Sequence, residues 1–135
     1  CLCPSSNGMK KNHLLMIDDD PAIQRLFGAK FAHAGFEVMY AHDGHEGREM
    51  ARRFMPDVIL LDIRMPKTDG FTIARMLHTE PKTKDIPVIF LTNEDFIPEA
   101  EKWAKEEYVS DYLHKSMDLN EMVKRVKSVI NGKNL

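Results

Sequence analysis

Three aspartates, Asp18, Asp19 and Asp20, follow directly on the apolar run Leu14-Leu15-Met16-Ile17. A fourth, Asp62, follows the longer run Val58-Ile59-Leu60-Leu61. Further along, Ile89-Phe90-Leu91 ends in Thr92, and Tyr112-Leu113 ends in His114-Lys115. Short apolar runs of this kind read as buried strands. Carboxylates, a hydroxyl and an amine therefore stand at the ends of strands that lie far apart in sequence, which local helix or turn chemistry does not explain. Carboxylates gathered in one place repel, and some take up protons unless a cation joins them. Mg²⁺ suits such a set, being a hard ion content with a few carboxylates, waters and phosphate oxygens. A metal and a lysine beside a carboxylate meet the needs of phosphoryl transfer, which is mostly positioning and neutralisation of charge. A carboxylate nucleophile would give an aspartyl phosphate, and the Thr92 hydroxyl can donate to a phosphoryl oxygen.

These groups meet only if the intervening chain folds the strand ends onto one rim. Asp20-Pro21 offers an N-cap followed by proline at the first helical position. Ile23, Leu26, Phe27 and Phe31 then recur at helical spacing, and Gly35 closes the segment. Phe36 to Tyr40 is a second strand. Asp43 caps a second helix to about Phe54, with Met50 and Phe54 on its inner face. Asp57 to Asp62, set off by Pro56, is apolar on both alternating sides, as in a central parallel strand covered on both faces. A loop from Ile63 to Asp69 leads to a third helix carrying Phe71, Ile73, Ala74 and Leu77. Ile86 to Leu91 is the fourth strand, with Pro87 near its start where a missing N–H is tolerable. The polar stretch Asn93–Glu107 is expected to be helical. Val109 to His114 is a fifth, more amphipathic strand at a sheet edge, and Leu119, Met122, Val123, Val126 and Ile130 form a final helical stripe. Strands alternating with helices predict an α/β fold, a parallel sheet with right-handed crossovers and helices on both faces. Ligands of such sheets sit beyond the carboxyl ends of the strands, where the strand order reverses.

Composition bounds the rest. With 135 residues, 43% of them apolar, the chain can bury the core of one domain without disulfides. Nineteen basic residues against twenty-one acidic ones leave a formal charge of −2, which supplies no electrostatic footprint for nucleic acid or an anionic membrane. No apolar run approaches the roughly 18 residues of a membrane span. Both cysteines, Cys1 and Cys3, lie in the first three residues. The body thus has no disulfide framework, which favours a reducing, cytoplasmic setting. Residues 1–8 are Ser/Pro/Gly-rich and without periodicity. They read as a disordered arm or expression remnant, and residues 9–135 as the domain.

Met16-Ile17-Asp18-Asp19-Asp20-Pro21, Asp57 to Pro66 with Asp69-Gly70, Pro87 to Thr92, and Asp111-Tyr112-Leu113-His114-Lys115 together resemble bacterial two-component response-regulator receiver domains of the chemotaxis-receiver type. The resemblance spans about Lys11 to Ile130. It implies a flavodoxin-like (βα)5 three-layer sandwich whose five-stranded parallel sheet has the order 2-1-3-4-5. It also implies a phosphoacceptor switch in a phosphorelay, with Asp62 taking the phosphoryl group from a histidine kinase or histidine phosphotransfer protein. Asp18 and Asp19 would hold Mg²⁺, with Mn²⁺ able to take its place. Asp62 would add a carboxylate oxygen and Arg64 its backbone carbonyl. Thr92 and Lys115 would bind phosphoryl oxygens, and Tyr112, three residues before the lysine, stands at the switch-aromatic position and would form the switch with Thr92; ordinary edge packing is the other reading of Tyr112. The implied product is a switched surface for an output partner of unknown identity, with no direct nucleic-acid contact, no membrane insertion and no turnover of an external substrate.

Two residues depart from the family pattern. Asn93 stands where a small residue usually follows the threonine, and Ser116 stands where proline usually follows the lysine, often through a cis peptide. A cis bond before a non-proline costs roughly 3–4 kcal/mol, so either the bond is trans and the loop differs, or its surroundings hold the strain. Asn93, Glu94 and Arg64 flank the expected site. The departures motivate one alternative, a degenerate receiver acting through interaction alone. Another is a Mg²⁺ phosphohydrolase with Asp62 as nucleophile, but the haloacid-dehalogenase-like pattern has a second aspartate two residues on, where this chain has Arg64. Blander roles suit the remaining groups. Asp20 alone suits helix capping, and the six histidines show no metal-ligand spacing. Trp103 reads as partial packing, and Lys124, Arg125 and Lys127 as a solvated helix face.

Overall fold

The computed structural model describes residues 11–63, 65, 69–92 and 109–133. Along these residues run β1 (His13–Ile17), α1 (Pro21–His33), β2 (Glu37–Ala41), α2 (Gly44–Phe54), β3 (Val58–Asp62), α3 (Gly70–Thr79), β4 (Val88–Thr92), β5 (Asp111–His114) and α4 (Leu119–Lys133). The helix expected over Asn93–Glu107 lies outside the described residues, as do Cys1, Cys3 and Trp103.

The five strands pair in parallel in the order β2-β1-β3-β4-β5, the order that the resemblance implied. The chain leaves β1 for one side of the sheet and returns on the other, so the order reverses between β1 and β3. Register sets the rim. Ile17 lies beside Leu61, Asp62 beside Leu91, and Thr92 beside His114. The residues that follow β1 and close β3, β4 and β5 therefore finish at one level.

Alternation along the strands splits the core in two. Leu15, Ile17, Ile59, Leu61 and Phe90 pack under Ala51 of α2 and Ile73 and Leu77 of α3. Leu14, Met16, Leu60, Ile89 and Leu113 pack on the opposite face against Phe27 and Phe31 of α1 and Met122, Val126 and Ile130 of α4. β3 and β4 are buried along their full length, as strands covered on both faces must be.

The helix ends follow the sequence signals. Asp20 accepts from Ala22 N–H at 2.9 Å with Pro21 next in line, and Asp43 and Asp69 cap α2 and α3 in the same way. α1 ends on Gly35, whose φ of 103° suits glycine. There Gly35 N–H donates to Ala32 O and Phe36 N–H to Phe31 O, and the Phe31 and Phe36 rings meet edge-on at 5.5 Å.

Three expectations need correction. Leu26 and Phe54 were expected inward, but both are exposed, at 54% and 52%. On α1 the neighbouring Phe27 and Phe31 already fill the sheet-facing stripe. On α2 the inward positions are Gly47, Met50 and Ala51, and Ile17 occupies the space a side chain at Gly47 would need. The Arg53 guanidinium instead lies over the exposed Phe54 ring, 6.0 Å from its centre. Arg125 is more than a solvated charge, because it grips Asp111 of β5 through two hydrogen bonds of 3.0 and 2.5 Å.

A second ion cluster ties α2 to the turn after α3. Glu80 Oε1 accepts from Arg48 at 3.2 Å and from Arg52 at 2.6 Å, and Arg52 also reaches Glu49. Burial acts to raise the Glu80 carboxyl. The hydrogen bond and charge of Arg52, with Arg48 behind it, outweigh burial and hold the group below its usual range.

Candidate functional site

The first part of the site is built where β1 runs out. Asp18 continues the ladder by one bond, its N–H donating to Ala41 O at 3.1 Å. Its side chain then turns inward and is 1% exposed. Oδ1 accepts from Asp20 N–H at 2.9 Å. Oδ2 is buried and lies 2.9 Å from the Lys115 ammonium. Asp19, the next residue, faces solvent.

Asp62 closes β3 and is buried. Its Oδ1 lies 3.5 Å from the same Lys115 nitrogen. Thr92 closes β4 and is buried next to β5. The backbone fixes where Lys115 starts, since its N–H donates to Thr92 O at 2.7 Å. From there the aliphatic stem carries the charge between two acidic residues of other strands.

Asp18, Asp19 and Asp62 each offer a carboxylate oxygen within 4.8 Å of the others. Three carboxylate oxygens this close together, two of them on buried residues, fit the donor set of a hard divalent cation. The structure thus brings together Asp18, Asp19, Asp62 and Lys115, and sets Thr92 at the same rim. Arg64, Asn93 and Glu94 lie outside the described residues.

Tyr112 is half-buried and packs on the core layer that contains Phe90 and Val109. The turn after β5 resolves the Ser116 question. No cis peptide occurs among the described residues. Met117 N–H closes the turn on His114 O at 3.1 Å. Ser116 uses the N–H that a proline would lack, donating to His114 Nδ1 at 3.0 Å, with its Oγ 2.6 Å from the same nitrogen.

Two positioning contacts escaped the sequence reading. Gly70, at the start of α3, donates its N–H to Ile63 O at 2.8 Å and rests directly on the end of β3. Gln24 of α1 is buried and spans the ends of β1 and β2. An Asp-Gly pair at a helix start signals the first. For the second, the available cue was a polar residue three and seven positions before Phe27 and Phe31, on the stripe that faces the core.

Residues 14–127 match the model of the response regulator receiver domain. The chain belongs to the receiver-domain family. The receiver is 40% identical over 121 residues to the DNA-binding dual master transcriptional regulator RpaA of Synechocystis sp., covering 87% of this chain and 48% of that protein. It thus spans about half the length of that relative. It is 36% identical to protein PilH of Pseudomonas aeruginosa, covering 88% of this chain and 98% of that one. Its fold matches the chemotaxis protein CheY4 of Vibrio cholerae with a TM-score of 0.82 at 28% identity, over 89% of this chain and 99% of that one. Its place is in two-component signal transduction.

Proposed function

We propose that this receiver accepts a phosphoryl group on Asp62 and that Asp18 and Asp19 hold the Mg²⁺ that the transfer needs. The observation that carries the reading is the placement of one ammonium, Lys115, at 2.9 Å from Asp18 and 3.5 Å from Asp62. A charge poised there can follow the phosphoryl oxygens as they arrive. Bound Mg²⁺, with Asp18, Asp19, Asp62 and the Arg64 carbonyl as its protein ligands, would neutralise charge on those oxygens.

The donor is a phosphohistidine of a kinase or phosphotransfer protein. An Asp62 carboxylate oxygen attacks phosphorus, the new O–P bond forms, and the N–P bond of the donor breaks. Lys115 pairs with one phosphoryl oxygen and the Thr92 hydroxyl donates to another. Water attack on phosphorus later releases inorganic phosphate and restores the Asp62 carboxylate. The domain thus catalyses its own modification and turns over no external substrate.

Phosphorylation adds about −1.5 to −2 charge and three strong acceptors. Drawing Thr92 and Lys115 towards them biases a two-state element in which Tyr112 changes its packing, and it alters the surface carried by β5 and the Asn93–Glu107 segment. A cytoplasmic output protein or domain then reads that surface. Asn93 and Ser116 motivate a second reading, a receiver that signals through interaction alone. Incubation with acetyl phosphate separates the two. Acid-labile label that needs Mg²⁺ and disappears with chelator supports phosphoacceptance, whereas an unlabelled, folded chain favours the interaction module.

A further inference from the structure

Gln24 places a primary amide inside the fold. The residue is 6% exposed, and its Nε2 donates one N–H to Asp18 O at 2.9 Å and the other to Ala41 O at 3.0 Å. β1 ends at Ile17 and β2 at Ala41, so the amide bridges the two strand ends from α1. An apolar side chain would fill this space without the cost of burying an amide. The residue's hydrogen bonds are therefore the part of it that packing does not explain.

The carbonyl of Asp18 belongs to the same planar peptide as the N–H of Asp19. A hydrogen bond to that carbonyl fixes the plane joining the two acidic residues, and with it the direction in which the Asp19 side chain leaves. Asp18 has other restraints, through its N–H to Ala41 O and its Oδ1 from Asp20 N–H. Asp19 has none of its own: its side chain is exposed and makes no hydrogen bond or ion pair among the described residues. The backbone alone aims it at the cluster.

We infer that Gln24 is a positioning residue for the cation site, holding the Asp18–Asp19 peptide so that Asp19 stays within reach of Asp18 and Asp62. This inference rests on the metal-binding reading above. Groups that orient metal ligands in this way typically govern about 10- to 100-fold in affinity.

The test is Mg²⁺ titration by calorimetry on the whole chain, with urea unfolding in parallel. Gln24→Met removes both N–H groups at nearly constant volume, and Gln24→Asn keeps an amide too short to span both carbonyls, which guards against misfolding of the first. Val126→Ala, fully buried in the core layer that holds Phe27 and Phe31 and no part of the acidic cluster, serves as a control for lost stability. The expected result is Mg²⁺ binding at least about tenfold weaker in both Gln24 variants, with wild-type affinity retained in Val126→Ala. Wild-type Mg²⁺ affinity in a folded, destabilised Gln24 variant would reduce Gln24 to a structural bond and overturn the inference alone. Absence of Mg²⁺ binding in the wild type would overturn the metal reading and the inference with it.

Discussion

Gly70 packs against Asp62 with no room for a side chain: a β-carbon at Gly70 would come within 2.6 Å of the Asp62 carbonyl oxygen and as close to Ile63 Cα. Both neighbours are backbone, so neither can swing aside. The start of α3 thereby fixes the end of the strand that presents Asp62. Gly70→Ala is expected to cost roughly 1–3 kcal/mol through overpacking and to slow Asp62 phosphorylation in the fraction that remains folded. Urea unfolding and labelling rates measure the two effects, and a wild-type rate in the variant contradicts the positioning role.

Lys115 brings a positive charge between two buried carboxylates. Lys115→Met leaves Asp18 and Asp62 without it, and breaking a buried pair in this way costs about 3–5 kcal/mol. Mg²⁺ should restore part of that loss, so its addition is expected to raise the melting temperature of the variant more than that of the wild type. Equal thermal shifts would show that Lys115 and the cation do not act on the same carboxylates.

Glu80 makes acid stability testable away from the site. Its carboxyl is held below the unfolded value near 4.5, so the unfolded chain binds more protons just below that pH. The stability it contributes is complete above the unfolded value and is lost as pH falls through the folded one. Glu80→Gln should therefore lower stability at neutral pH and flatten the acid limb of the stability profile. A variant whose profile runs parallel to the wild type through that window would contradict the Arg48–Arg52–Glu80 clamp.

The sheet, its helices and the acidic rim were legible because their signals are chemical and periodic. Runs such as Val58–Leu61 are apolar on both sides, and Asp20-Pro21 and Asp43 announce helix starts. Leu26 and Phe54 misled because helical spacing records where apolar residues recur and says nothing of which neighbours already fill the stripe. Gly70 and Gln24 left cues in the sequence, but the contacts they make did not. Their partners, the Ile63 and Asp18 carbonyls, are backbone atoms that no side-chain pattern reveals. Strand order was also beyond periodicity, since alternating strands and helices are compatible with more than one winding, and it rested on the family resemblance.

The most direct measurement is peptide mapping of the chain after Mg²⁺-dependent phosphorylation, run beside Asp62→Asn. Wild type is expected to carry one acid-labile phosphoryl group on the peptide that contains Asp62, and the folded variant none. Label retained by Asp62→Asn, or mapped to another residue of the wild type, would contradict the assignment.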